Sequence, residues 1–84
     1  TLEISVLAPL EEMRPRPEAF VIGEHGLVVE QDGRRGLLLP QVAREWQWSP
    51  EEFLAHTCVK AGLPPDAWRN GARFYRFAAE VFGD

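Results

Sequence analysis

Apolar and polar side chains alternate from the second residue onward. Leu2, Ile4, Val6 and Ala8 fall on one side of an extended chain, with Glu3 and Ser5 on the other. This is the pattern of a half-buried strand. Pro9 closes it, and Pro9, Pro15 and Pro17 predict an exposed loop over 9–17. Glu18 to Ile22 is a short strand candidate. Gly23-Glu24-His25-Gly26 then reads as a turn, since glycine enters positive φ at little cost, and Leu27-Val28-Val29 resumes the extended pattern. Asp32-Gly33 lies between two such runs, as a two-residue hairpin turn requires. The implied register sets Glu30 opposite Arg35 and Gln31 opposite Arg34. A Glu–Arg pair across a ladder contributes ~0.2–1 kcal/mol.

After Leu37-Leu38-Leu39 the period changes from two to about 3.6. Pro40 suits the first turn of a helix. Val42, Ala43 and Trp46 share a face, which predicts Trp46 in the core of a short helix ending near Trp48. Ser49-Pro50-Glu51-Glu52 is a helix start, with Ser as cap, Pro at the first position and Glu three residues on to complete a capping box. Phe53, Leu54, Thr57, Cys58 and Ala61 form its apolar stripe. Gly62 and Pro64-Pro65 end it. Pro65 to Trp68 permits one more helical turn, and Asn70-Gly71 another reversal. Phe74 to Phe82 closes the chain as a strand with aromatic residues on both faces, so a central position is expected. The order of elements predicts an α+β fold: a mainly antiparallel sheet with two short helices packed on one face. The first and last strands are expected to pair, within a single domain over 1–84.

Composition narrows the functional classes. Nine basic residues against a net charge of −4 give no clustered positive field, which argues against nucleic acid as a partner. No apolar run approaches the ~20 residues of a membrane helix. A single cysteine among 84 residues cannot form an internal disulfide or a thiolate zinc site, and favours a reducing, cytoplasmic setting. Five Phe, three Trp and one Tyr supply large core-building groups. A strand that begins at the second residue, without an initiating Met, leads to the expectation of further chain upstream.

Several residues are candidates for chemistry. His25, on the glycine turn, has the versatility of an acid, base or ligand, although bonding within the turn is the plainer use. Cys58 lies on an apolar helix stripe, where a thiol is an inert small hydrophobe. Arg34 and Arg35 flank the hairpin and form a candidate anion contact. Their cross-strand neighbours Gln31 and Glu30 account for them without a ligand. Glu51 and Glu52 are explained by helix capping. Glu80, in a central strand, needs a partner, for which Arg76 is the candidate. Trp48 and Trp68 fall at helix edges, where the pattern assigns no side. No metal-ligand spacing, phosphate loop or nucleophile motif occurs, so neither metal nor cofactor is implied.

The chain resembles the second half of the AMMECR domain. The likeness is carried by Leu2-Glu3-Ile4-Ser5-Val6-Leu7, Gly23-Glu24-His25-Gly26-Leu27, Gly36-Leu37-Leu38-Leu39-Pro40-Gln41-Val42-Ala43 and Cys58-Val59-Lys60-Ala61-Gly62-Leu63. Pro65-Asp66-Ala67-Trp68 and Phe77-Ala78-Ala79-Glu80-Val81-Phe82 extend it. It is most similar to the prokaryotic branch called AmmeMemoRadiSam system protein A. That resemblance implies Memo-type and radical-SAM partners, and the upstream half of the same domain as an intramolecular one. It implies no defined reaction. The family's Leu-Arg-Gly-Cys-Ile-Gly segment has no counterpart here, so no role of that cysteine transfers to Cys58. Within the matched segments, His25 and Gln41 are the candidates to border a site. Two functions stay open: an accessory or interaction module, and an enzyme whose cysteine-containing centre lies mainly upstream.

Overall fold

The computed structural model describes residues 2–6 and 10–83. Five strands and two helices follow one another: β1 (Leu2–Val6), β2 (Glu11–Met13), β3 (His25–Gln31), β4 (Arg34–Leu38), α1 (Pro40–Trp46), α2 (Pro50–Lys60) and β5 (Arg73–Gly83). Single 3₁₀ turns occupy Pro17–Ala19 and Ala67–Arg69. All strand pairs are antiparallel, so the expected α+β class holds. β5 is the central strand. It pairs with β1 at its C-terminal end (Val6 opposite Ala79, Leu2 opposite Gly83), and with β3 from Arg73 to Ala78. The two ends of the chain therefore meet. The continuation of the first strand through Leu7 and Ala8 to Pro9 lies outside the described residues.

The Asp32-Gly33 turn has φ of +52° and +78°, the left-handed pair that a two-residue hairpin needs. Its register is the expected one, Glu30 opposite Arg35 and Gln31 opposite Arg34. The side chains depart from it. Gln31 Nε2 donates to the Asn70 carbonyl at 3.3 Å, and Arg34 Nη1 donates to the Gly62 carbonyl at 2.7 Å. No ion pair within 4.0 Å joins Glu30 to Arg35 among the described residues. Both long side chains on the Gln31–Arg34 rung reach past their ladder neighbours to carbonyls of other loops, which fixes the hairpin to the rest of the fold.

Alternation within β3 divides its side chains between two faces. Leu27 and Val29 join Phe74, Phe53, Leu54, Cys58, Ala43 and Phe20 in the core beneath the helices. Val28 and Phe77, buried as well, lie on the opposite face. A strand buried on both sides reads as a continuous apolar run, as Leu27-Val28-Val29 does. Gly26 sits opposite Phe77, and a Cβ at that position would fall 2.3 Å from the Phe77 ring. Gly26 is therefore a strand residue that makes room for an aromatic ring, and the turn precedes it at Ile22–Glu24.

Three further expectations are corrected, and one falls outside the described residues. Residues 11–13, expected as loop, form a short strand against Arg76, Tyr75 and Phe74 of β5. Glu11 and Glu12 reach Arg76 and Arg73 at 3.7 and 3.3 Å, exposed ion pairs that accompany a backbone ladder and the packing of Met13 against the core. Glu18 to Ile22, expected as strand, is instead a 3₁₀ turn running into a tight turn. Pro17 at its start supplies the helical φ. Trp46 is 68% exposed. The buried residues of α1 are Pro40 and Ala43, and a helix advancing about 100° per residue carries position 46 roughly a quarter turn off that stripe. The helix then stops at Gln47, whose φ of +54° is left-handed. The pairing expected between Glu80 and Arg76 falls on a Glu80 side chain outside the described set. Arg76 itself donates to the Ala19 carbonyl and faces Glu11.

α2 follows its sequence signals closely. Ser49 Oγ accepts from the Glu52 backbone N–H at 3.2 Å, and Glu52 Oε1 accepts from the Ser49 N–H at 3.0 Å. At the other end Gly62, with φ of +80°, donates to the Val59 carbonyl, and Leu63 N–H donates to the Cys58 carbonyl. These two bonds form a Schellman closure. The backbone bond to Ser49, and then its hydroxyl, hold the Glu52 carboxyl below its ordinary value of 4.5. A carboxylate depressed in the folded state contributes stability above its unfolded value. That contribution is lost as pH falls through the folded value. Ser49→Ala is expected to lower the unfolding free energy by about 1 kcal/mol at neutral pH. Glu52→Gln retains an acceptor for Ser49 but removes the titration, so it should blunt the loss of stability below pH 4.5. Urea midpoints at pH 7 and in acid test both effects.

Candidate functional site

The chemically versatile side chains do not converge. His25 opens β3, and its Nδ1 accepts from the Val21 backbone N–H at 3.0 Å. Val21 O in turn accepts from the Glu24 and His25 backbone N–H groups. The imidazole thus closes the turn at residues 21–25 with the nitrogen that a general base or metal ligand would present. Arg34 is engaged with Gly62, two residues beyond the end of α2. Arg35 is exposed on the ladder opposite Glu30. Among the described residues no hydrogen bond joins any two of His25, Gln41, Arg34 and Arg35.

Gln41 lies in the first turn of α1, directly after the buried Pro40. Its Oε1 is the buried side-chain oxygen that finds no hydrogen-bond partner among the described residues. A buried acceptor left unpaired costs about 1–3 kcal/mol, so such an atom stands out in a folded chain. Of the sequence-derived candidates, Gln41 is the one with a buried polar atom left unpaired among the described residues.

Cys58 is fully buried on the inner face of α2. Burial pushes its thiol above the ordinary value, against a smaller opposing bond with the Trp68 backbone. A raised thiol in an apolar setting is a poor nucleophile. Alkylation of Cys58 by iodoacetamide under native conditions should therefore proceed no faster than global or local opening, and should accelerate sharply in denaturant. Rapid native labelling at neutral pH would contradict the packing described.

The sequence reading missed one feature. A shallow groove of about 320 Å³ runs between Glu51, Glu52 and Ala55 on α2 and the segment carrying Pro65, Asp66, Trp68 and Arg69. Arg69 spans it, with its guanidinium 4.6 Å from the Trp68 ring centroid and 3.9 Å from the Glu51 carboxylate. On the same helix His56 stacks on Trp48, with centroids 4.0 Å apart and planes 5° apart. Trp48 in turn leans on the core residue Phe53. These contacts settle the side of both tryptophans left open by the sequence: each is half-buried, with its ring used as a platform by a neighbouring polar residue. The described residues contain no grouping of three His, Cys, Asp or Glu side chains able to hold a metal ion. No described helix is long and apolar enough to cross a membrane.

Comparison with known proteins decides the kinship. The family model for AMMECR1 matches residues 1–82. The chain belongs to the AMMECR1 family. A protein of Thermococcus gammatolerans is 52% identical over 98% of this chain, and one of Aquifex aeolicus is 49% identical over 95% of it. The match covers 42% and 44% of those proteins, so the chain spans less than half the length of the relatives it matches. The crystal structure of protein PH0010 from Pyrococcus horikoshii superposes with a TM-score of 0.83 at 49% identity, covering 88% of this chain and 39% of that one. The α+β architecture is therefore shared with a solved AMMECR1-family relative, and the segments that suggested the family lie inside the matched region.

Proposed function

We propose that these residues form the scaffolding and docking portion of an AMMECR1-family protein. In this reading it is an accessory module of the AmmeMemoRadiSam type, working with Memo-type and radical-SAM proteins. One observation carries the proposal. The groups that a catalytic centre would use are spent on holding the fold: His25 on Val21, Arg34 on Gly62, and Cys58 within the core. Catalysis needs such groups within hydrogen-bond reach of each other and of a reacting atom. Here they belong to three separate structural tasks.

The alternative is an enzyme whose centre lies mainly in the part of the family not spanned here. It draws on the unpaired Oε1 of Gln41, an acceptor available to a group supplied from outside this chain. Co-purification separates the two readings. A tagged protein of the relatives' full length, carrying these 84 residues, should retain Memo-type and radical-SAM proteins from the same cells. Failure to recover either one, with the tagged protein folded, would contradict the accessory role.

A further inference from the structure

Asparagine occurs once in the chain, at Asn70, and the residue after it is Gly71. The pair forms the turn between the 3₁₀ segment Ala67–Arg69 and β5. Both residues are exposed. Gly71 has a φ of +92°, and a Cβ built on it would meet nothing within 4 Å. The N–H groups on either side, of Asn70 and Ala72, both donate to the Ala67 carbonyl, at 2.9 and 3.3 Å. Between them the Gly71 N–H has no acceptor among the described residues. An uncommitted main-chain nitrogen therefore follows a primary amide, with no side chain on Gly71 to shield either group.

Two side-chain bonds hold this turn in place. Asn70 Nδ2 donates to the Asp66 carbonyl at 3.0 Å, and the Asn70 carbonyl accepts from Gln31 Nε2 at 3.3 Å. At the Asn70 ψ of 34° the Gly71 nitrogen lies across the Cα–C bond from Cβ, out of reach of the side-chain Cγ. Bringing nitrogen and Cγ together requires rotation about that bond. The same rotation swings the Asn70 carbonyl oxygen away from Gln31. Gln31, at the end of β3, is thus a latch on the one motion that joins the two groups. Glycine at position 71 lets the peptide turn over without a Cβ penalty.

We propose that Asn70 is a hydrolytic modification site whose rate is set by the Gln31 bond. A solvent base takes the proton of the Gly71 N–H. The nitrogen attacks Asn70 Cγ, a nitrogen–carbon bond forms, and the Cγ–Nδ2 bond breaks to release ammonia. The resulting succinimide ring takes up water at either of its carbonyls, which leaves aspartate or isoaspartate at position 70. One water is consumed and one ammonia released, without oxidant or cofactor. Asp32-Gly33 has a similar left-handed turn, but its carboxylate is a much weaker electrophile and holds no ammonia to lose. Either product deprives the Asp66 carbonyl of its donor and sets a carboxylate beside it. Isoaspartate also adds a carbon to the main chain ahead of Gly71. That displaces Ala72 from Ala67 and loosens the entry to β5 at Arg73. The modification is independent of the accessory role proposed above.

Timed incubation of a protein of the relatives' full length carrying these residues, followed by peptide mapping with mass spectrometry, tests this. A synthetic peptide of residues 66–74 serves as the unlatched reference. The folded protein should exchange the Asn70 amide for a carboxyl group more slowly than the peptide, and give both aspartate and isoaspartate. Gln31→Ala should speed the conversion about twofold to tenfold, the factor given by the loss of one net hydrogen bond. Conversion through a local opening is insensitive to urea below the unfolding transition, whereas conversion through global unfolding follows the unfolding free energy. The expected rate is flat in low urea for both the parent and Gln31→Ala. A rate that climbs with urea from the outset would overturn the proposal, since Asn70 would then react only in the unfolded chain. So would an equal rate in the parent and in Gln31→Ala, or an Asn70 that stays intact while the peptide is consumed.

Discussion

Phe53→Ala is expected to lower the unfolding free energy by about 3–5 kcal/mol, the usual loss when a buried phenylalanine is emptied. Phe53 is fully buried on the inner face of α2. It meets the edge of Phe20 with ring centroids 5.8 Å apart and lies against Trp48 at 6.2 Å. Removing the ring takes contacts from the 3₁₀ segment, the α1–α2 connection and the sheet together. None of these can collapse into the space without moving a capped helix. A chain of this size has a total stability of roughly 4–13 kcal/mol, so the loss is a large fraction of the whole. Urea titration followed by tryptophan fluorescence measures it. A loss below about 1 kcal/mol would mean that α2 does not pack on the sheet through this ring.

Gly26→Ala should destabilise by about 2–3 kcal/mol, through overpacking rather than a cavity. The added Cβ would lie 2.3 Å from Phe77 Cζ and 2.7 Å from both Cε atoms. Phe77 is itself buried, at 3% exposure, so the ring has little room to swing aside. Gly26 has none of the left-handed φ found at Gly23, Gly33, Gly62 and Gly71, so space and not backbone strain sets the penalty. A double-mutant cycle isolates it. In a Phe77→Ala background the further change Gly26→Ala should cost little, giving a coupling of at least about 1 kcal/mol. Additive effects would show that the two residues do not face each other.

The same pair shows where the sequence was legible and where it was not. A glycine three residues after another, beside a histidine, looks like turn chemistry, and Gly23 with φ of +89° is a turn residue. Gly26 is a glycine for a different reason, a long-range contact with Phe77 across 51 positions, and local pattern carries no trace of that. Elements set by nearby residues were readable: the Ser49–Glu52 capping box, the Asp32-Gly33 turn, the Gly62 closure and the apolar stripe that buries Cys58. The central position of β5 was readable because both of its faces carry large apolar groups. β2 was hidden, since a three-residue edge strand with two exposed glutamates, Glu11 and Glu12, beside Arg76 and Arg73 has the composition of a loop. Trp46 misled because three apolar residues in a seven-residue helix fix its orientation only loosely.

The candidate site was legible only as a list of residue types. His25 and Gln41 were singled out together, yet the structure gives them opposite characters. The His25 nitrogen is committed to Val21 N–H, while Gln41 keeps a buried oxygen unpaired. The groove between α2 and Trp68 was invisible in sequence. Its walls come from two segments whose residues each have a local explanation: Glu51 and Glu52 in the capped first turn, and Arg69 beside the ring it covers.

The claim at the centre of this account is that His25 serves the backbone and not a reaction. His25→Asn tests it directly, because an asparagine side-chain oxygen can accept a hydrogen bond close to the position of Nδ1 but cannot act as a base near neutral pH. In a protein of the relatives' full length, measured by urea unfolding and by complementation of cells lacking it, the account predicts that His25→Asn retains both stability and function, whereas His25→Ala loses stability. Loss of function by His25→Asn at unchanged stability would contradict it.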